Sequence, residues 1–515
     1  MNKSDSRINK SIKNSSMALF EQIICSLMSF VGRTVFIYTL GKTYLGFNGL
    51  FGDIFSLLSL AEMGVSTAII YLMYEPAAYH EYEKIAALLN IYKKIYMGVA
   101  IVITMTGLLF LPFLDFFISD IPKMPELPVM YLLFLFSTVI SYLFVYKKSI
   151  LIIDQRDYIA SLIYVIAVIL QNILQIIFLY ITHDFTVYLI IQIMCTIGNN
   201  VAVSVYVDRH YTYLKQYKNA KIDKETKESI VKNVKAMFLS RVSSAIVTST
   251  DNILISKYVS TVTLGIYSNY TLFTNLLRKL LTKIFGALTG SVGNLIVLES
   301  KEKVYRTFKQ IWFVNFWLVA FSGVSLFVLL NPFIEVWLGT SYLLDKKVLF
   351  IICLNLYMRL IRNTFLILID TYGLFVEIKP KCIAETIINV VASLIFLIPL
   401  HMGIYGVLLG TFVSNILTNF WYEPYLLYVK KFEVGMGNYL RDFTKYLAIT
   451  FFSGAMAFYI CHEAAVLPGW PGFLLKTVLC VIITNSILFL FFHNTMEFQY
   501  FMAVFKNKFL QKIKR

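Results

Sequence analysis

Four cations in one hairpin-length stretch are the side chains of this chain best placed to do chemistry. Between Val234 and Val297, Arg241, Arg278, Lys279 and Lys283 interrupt sequence otherwise apolar enough for two spanning helices with a tight turn between them. At about 100° per residue, Arg241, Ser244, Thr248, Asp251 and Asn252 share one face of the first helix. On the second, Ser268, Thr271, Asn275, Arg278, Lys279, Thr282, Gly286, Thr289 and Gly293 share an arc, with Lys283 at its edge. Leu276, Leu277, Leu280, Leu281, Ile284 and Leu288 form the opposite arc. A cation at mid-membrane costs roughly 2.5–3.5 kcal/mol on insertion scales, so four on one hairpin must face water or an anion. The hairpin reads as one wall of a cationic, water-filled cavity in a membrane transporter.

Two more helices carry polar stripes. Ser15, Gln22, Ser26, Ser29 and Arg33 line one face of the first hydrophobic segment, and Asn355, Arg359, Arg362, Asn363 and Asp370 line one face of the tenth. Seven basic residues are therefore expected within spans: Arg33, Arg241, Arg278, Lys279, Lys283, Arg359 and Arg362. Snorkelling to the interface or pairing with an acid is the competing explanation, strongest for Arg241 and Lys283 near the inner ends. Arginine offers a planar fork of donors suited to phosphate, and lysine a mobile point charge. A cavity holding both suits a phosphate or pyrophosphate, while polar neighbours such as Asn275 and Asn355 suit sugar hydroxyls. Asp53, Glu62, Asp251 and Asp370 are candidates for coupling to H+ or Na+, as intramembrane carboxylates often are. Neutralising a nearby arginine explains them equally well. Asp53 and Glu62 lie on opposite faces of the second helix and do not make one site.

These faces need membrane helices to carry them. Hydrophobic residues make up 58% of the chain and charged residues 15%, with a mean hydropathy of +0.70. A soluble protein would carry about 25% charged residues. Apolar runs mark about fourteen spans of roughly 20 or more residues, near 15–41, 45–73, 92–118, 128–146, 158–181, 185–207, 236–258, 262–297, 308–330, 348–370, 380–400, 403–428, 443–461 and 471–493. The chain is an all-α polytopic membrane protein. Its formal net charge of +16 belongs to loops and anionic lipid, with no nucleic-acid partner implied. If the N-terminus is inside, the inner segments hold most of the basic residues, including the run Arg209–Lys235 and Lys379 and Lys381. The outer ones hold Lys42, Lys123, Lys257, Lys346 and Lys347. This places both termini in the cytoplasm, and Trp337 and Trp470 near the outer interface.

The remaining features set limits. The first segment holds Glu21 and Arg33 with no small-residue cleavage site, so it is expected to be a retained helix and not a signal peptide. Six scattered cysteines without CxxC spacing, and six histidines without paired spacing, point to packing and turns, with no metal site and no cofactor. Outer loops are too short for an extracytoplasmic catalytic domain, and His183, His401 and His462 fall in or beside short turns, which disfavours a membrane polymerase or acyltransferase. The basic C-terminal stretch EFQYFMAVFKNKFLQKIKR is expected at the inner leaflet surface.

The polar loop after the sixth span divides the chain into 1–207, a linker at 208–235, 236–428, and 429–515 with helices thirteen and fourteen and the tail. Across it runs a short internal echo: Leu45-Gly46 and Leu57-Leu58 align with Leu264-Gly265 and Leu276-Leu277, each Leu-Gly opening the second helix of a half. The segment YLGFNGLFGDIFSLLSLAEMGVSTAIIYLMY (Tyr44–Tyr74), with its Leu-Gly entry, Gly-Leu step and Glu62, Gly64, Ala68 ending, resembles polysaccharide-exporting flippases of the Wzx type. Those belong to the multidrug/oligosaccharidyl-lipid/polysaccharide exporter superfamily, and the helix layout is similar over the whole chain.

The resemblance implies a MATE-like fold of two pseudo-symmetric six-helix lobes plus two C-terminal helices, working by alternating access. It implies a bacterial cytoplasmic membrane location and a substrate of undecaprenyl-diphosphate-linked oligosaccharide, flipped outward for capsule, exopolysaccharide or O-antigen assembly. Polysaccharide polymerase and glycosyltransferases are the partners it suggests. The family's cationic lumen corresponds to the seven basic residues above by helix and face. A cation-coupled drug antiporter of the same fold, or a flippase for a peptidoglycan or teichoic acid precursor, is the alternative. Orientation can be tested directly. A cysteine at Lys224 should be shielded from an impermeant reagent added outside and one at Gly469 labelled; the reverse pattern would overturn the topology.

Overall fold

A computed structural model describes residues 3–59, 65–114, 126–223, 226–228, 249–286, 288–374, 376–463 and 467–503. Among the described residues there is helix and no strand, and eleven helices are long and apolar enough to cross a membrane. The first helix, Lys3–Leu58, contains the first crossing and part of the second. Its 56 residues would run about 84 Å if straight, nearly three hydrocarbon thicknesses. The chain breaks direction at Gly41, whose φ of 79° and ψ of −174° lie where a side chain would be strained. The second crossing resumes as Val65–Ala78.

The third to sixth spans are Tyr82–Phe110, Leu127–Phe144 with its extension to Ile153, Asp157–Thr182 and Phe185–His210. Residues 249–258 of the seventh are helical. The eighth comprises Thr261–Gly286 and Thr289–Leu298. The ninth is Lys301–Leu338, and the tenth comprises Lys346–Leu360 and Asn363–Thr371. Lys379–Leu397 follows, then Gly403–Leu417 with Asn419–Tyr428, Met436–Glu463 and Gly469–Phe492. Every expected span has a helical counterpart among the described residues. The third and thirteenth begin at Tyr82 and Met436, earlier than the apolar runs at 92 and 443, because helices continue through interfacial turns that hydropathy does not see.

Packing divides the chain into two compact units, Met1–Gly265 and Ile266–Arg515, the boundary falling inside the first helix of the eighth span. In the first unit, the first span packs on the fifth, the fifth on the sixth, the sixth on the fourth and the fourth on the third. Its core is aromatic: Phe51 meets Tyr131 edge-on at 5.6 Å and Phe36 meets Phe185 at 5.5 Å. Tyr131 donates its hydroxyl to the Gly107 carbonyl at 2.9 Å. The start of the linker lies against this unit, since Asn90 Nδ2 donates to the Lys218 carbonyl at 2.9 Å. Tyr213 packs on Tyr82, the tilted rings 4.5 Å apart. Burial there, beside the Asp154 carboxylate, pushes the Tyr213 phenol up to about 12.

The two Leu-Gly pairs of the internal echo meet in this unit. A Cβ on Gly46 would lie 2.2 Å from the Thr261 carbonyl oxygen, and one on Gly265 would lie 2.2 Å from the Lys42 carbonyl oxygen and 3.0 Å from Gly46 N. Leu45 and Leu264 are both buried beside them. Small residues let two backbones approach this closely in a bilayer, where packing and not water drives association. The echo therefore marks a helix crossing.

In the second unit the eleventh span packs on the twelfth, the tenth on the twelfth, and the ninth on the tenth, thirteenth and fourteenth. The core gathers Phe308, Trp312, Phe316, Phe365, Tyr439 and Tyr446. Two of its spans are interrupted without a proline or glycine at the break. In the tenth, the carbonyls of Leu360 and Ile361 are taken up by Asn315 Nδ2 at 3.0 and 3.1 Å. In the twelfth, the backbone departs from helix at Thr418 (φ −123°, ψ −71°). Backbone groups released inside a membrane need such partners.

Beside these breaks lies a buried ion network. Arg362 donates to both carboxylate oxygens of Glu423, with Nε at 2.8 Å from Oε2. Lys381 Nζ reaches Glu423 Oε1 and Glu385 Oε2, each at 3.0 Å. Asn419 Nδ2 completes the shell on Glu385 Oε1 at 2.7 Å. Glu423 is wholly buried and Lys381 nearly so. Lys381, expected in an inner loop, is thus inside the protein, because two carboxylates offset its desolvation. Trp337, at the end of the ninth span, is 5% exposed and packs on Phe333 at 5.6 Å. Trp470 is exposed. The basic tail beyond 503 lies outside the described residues.

Two outcomes follow from this packing. Gly46→Val and Gly265→Val should each lower thermal stability in detergent by about 1–3 kcal/mol through overpacking, whereas Gly49→Ala, with 3.9 Å to its nearest neighbour, should be tolerated. Equal melting temperatures for all three would refute the crossing. Glu423→Gln should cost about 3–5 kcal/mol by leaving buried cations under-compensated, and Arg362→Leu with Glu423→Leu should cost less than the sum of the two single changes. Strict additivity in a thermal-unfolding cycle would show that the pair is not coupled.

Candidate functional site

The cationic row of the eighth span rests on a helix whose start is set by Ser260, whose Oγ accepts from Val262 N at 3.1 Å. One face of Thr261–Gly286 is buried. Tyr270 donates its hydroxyl to Asn331 Oδ1 at 2.7 Å and accepts from Leu344 N at 2.8 Å, while Leu281 and Phe285 enter the core with Leu277 and Leu288 packed beside them. The other face carries Asn275, Lys279, Thr282 and Lys283, all exposed. Arg278 is half-buried at the edge between the faces, and its Nε is buried with no hydrogen-bond partner among the described residues. Neither Arg278 nor Lys279 pairs with a carboxylate among the described residues. Lys279 and Lys283 stand one helical turn apart, roughly 6 Å along the axis. Arg278 immediately precedes Lys279, so a forked donor and ammonium groups share one flank of the helix, donors of the kind a diphosphate takes.

This span is not among the eleven apolar enough to be picked out by hydropathy, because the row itself lowers the average. Its helix stops at Gly286 and resumes at Thr289, whose Oγ1 donates to the Gly286 carbonyl at 2.9 Å. Interrupted helices in a transporter commonly flank its substrate site.

The other candidates are spread across both units. Arg33, in the first unit, is partly buried with Tyr188 as an electrostatic neighbour, and adjacent Gly32 lies against Asn172. Asp53 accepts from Asn252 Nδ2 at 2.6 Å, which joins the second and seventh spans, and Asp251 beside it is buried. In the second unit Arg359 is partly buried and Asp370 exposed. Asn355 Nδ2 donates to the Leu408 carbonyl at 2.8 Å, tying the tenth span to the twelfth. Arg362 is held by Glu423 as described above. Arg241 and Glu62 lie outside the described residues. The stripe expected on the tenth span therefore splits: Asn355 and Arg362 are engaged in packing, while the eighth-span row is presented outward.

Glu423 was not singled out from sequence, and Lys381 was assigned to a loop. The available signal was the i, i+4 pair Lys381 and Glu385 beside a lone carboxylate in the apolar run Trp421–Tyr428.

Comparison with known proteins supports the membrane-transporter reading. The family model described as "Polysaccharide biosynthesis protein" matches residues 11–289, more than half of the chain. No curated protein matches it. Among solved structures, the chain is similar to the lipid II flippase MurJ in an inward closed conformation. That match has a TM-score of 0.67 and 16% identity, over 93% of this chain and 98% of that one. It is also similar to an inward-facing multidrug resistance MATE family transporter of the MOP superfamily (TM-score 0.59, 15% identity, 76% and 91% covered). A mutant of the Vibrio cholerae MATE transporter VcmN matches with a TM-score of 0.57 at 15% identity over 80% and 95%. The fold is that of the MATE and MurJ transporters, the described spans make the chain a multi-pass membrane protein, and by its sequence it belongs to the polysaccharide biosynthesis protein family.

Proposed function

We propose that this transporter flips an undecaprenyl-diphosphate-linked oligosaccharide from the inner to the outer leaflet of a bacterial cytoplasmic membrane by alternating access, for surface polysaccharide assembly. Both termini are placed in the cytoplasm, and the glycosyltransferases and polymerase of that assembly are its working partners. The observation that carries the reading is the eighth-span row: among the described residues, the buried Nε of Arg278 has no hydrogen-bond partner and Lys279 pairs with no carboxylate. Charges left uncompensated in a span are costly unless water or an anionic ligand meets them. Family membership points the same way, toward polysaccharide.

Arg278, Lys279 and Lys283 are the proposed diphosphate contacts, with Asn275 toward the first sugar. Arg33, Arg241 and Arg359 are proposed as further cations on the substrate's route, and Arg362 is set apart by its Glu423 partner. Asp53, with Asn252, is the carboxylate proposed for ion coupling. A site built for cationic drugs would meet like charge at the eighth-span row, which disfavours the antiporter alternative.

Each charged contact to phosphate is worth about 1.5–3 kcal/mol, so Arg278→Ala and Lys279→Ala should each cut surface polysaccharide export by about tenfold or more. Protein abundance should stay at the wild-type level, and Arg278→Lys should restore part of the export. Normal polysaccharide in both alanine variants at normal abundance would sink the proposal.

A further inference from the structure

The second unit contains two adjoining cavities away from the cationic row. One, of about 200 Å³, lies among Gly323, Phe327, Phe350, Tyr357, Phe451 and Gly454, and its wall is almost entirely apolar. The other, of about 260 Å³, continues from it at the shared Phe327 and is walled by Asn331, Glu335, Lys346, His462 and Lys476. Both are bounded by the ninth, tenth and thirteenth spans, with the fourteenth joining at Lys476. From Glu335 to Gly323 the ninth span advances about 18 Å at 1.5 Å per residue. That is close to half of a hydrocarbon core of about 30 Å, the depth of a single leaflet.

The wall changes character along that depth in the order a lipid would require. At the shallow end two lysines face one carboxylate, Glu335, while the His462 ring lies 3.8 Å from Glu463. Lys346 Nζ sits 5.5 Å over the Phe458 ring, held at the mouth above an apolar floor. At the deep end Phe350 and Phe451, both exposed, stand 6.1 Å apart as the lips of the slot. Gly454 lines the slot, where a Cβ would meet Val324 at an ordinary 3.7 Å and a longer side chain would enter the cavity.

We propose that this slot holds one anionic phospholipid, its phosphate between Lys346 and Lys476 and one acyl chain along Phe327 into the apolar cavity. In the orientation expected from the basic loops it belongs to the outer leaflet. The lipid clamps the ninth, tenth, thirteenth and fourteenth spans together at that end, and is a resident ligand distinct from the cargo.

Native mass spectrometry of the full chain in detergent tests this, titrating phosphatidylglycerol, phosphatidylcholine with the same chains, six-carbon phosphatidylglycerol, polyprenyl phosphate and inorganic phosphate. Long-chain phosphatidylglycerol should bind about tenfold more tightly than phosphatidylcholine, as two surface lysines allow. Lys346→Gln with Lys476→Gln should erase that preference, and Gly454→Leu should weaken the long-chain lipid while sparing the six-carbon one. If Gly454→Leu does not fold, the double lysine variant still decides. Equal binding of the two long-chain phospholipids, or an unchanged preference in the double variant, would overturn the proposal. So would displacement of long-chain phosphatidylglycerol by inorganic phosphate, which would assign the site to a free anion, or by polyprenyl phosphate, which would assign it to the carried lipid.

Discussion

A charge inside hydrocarbon must find a counter-charge, water or a ligand, and the second unit answers that demand in two different ways. Arg362, Lys381, Glu385 and Glu423 cancel one another in a closed set of two positive and two negative groups. Because it is balanced, the set can be buried, and it fixes the tenth, eleventh and twelfth spans to each other. Among the described residues the eighth-span row has no such closure at Arg278 and Lys279. The same residue types thus serve cohesion in one place and remain available in another, and the presence or absence of a carboxylate within reach is what separates them.

The backbone obeys a parallel rule. At two of the interruptions a side chain takes over released carbonyls: Asn315 at Leu360 and Ile361, and Thr289 at Gly286. Asn355 instead joins the tenth span to the twelfth at a carbonyl within a helix. Polar residues in these helices therefore divide between supporting broken backbone and lining an accessible face. A polar stripe alone does not tell the two apart.

That division explains what was legible in the sequence. The fourteen spans and the outward face of the eighth helix follow from composition and a 3.6-residue period, and each span has helix among its described residues. The breaks at Ile361–Arg362 and Thr418 carried no proline or glycine, so periodicity ran straight through them. Residue type places Lys381 in a loop, and its three-dimensional neighbour Glu423 overrides that. Arg362 shared its stripe with Arg359, and nothing local reveals that a carboxylate sixty-one positions later lies against it.

The contact at Gly46 and Gly265 has a consequence for how such a chain drifts over generations. Each position already holds the smallest residue there is, so enlarging either one admits no compensating reduction on the other side. The two Leu-Gly dipeptides are bound by one shared restriction rather than two separate ones. Substitution at either glycine is therefore felt at both, and the pair persists or fails as one contact.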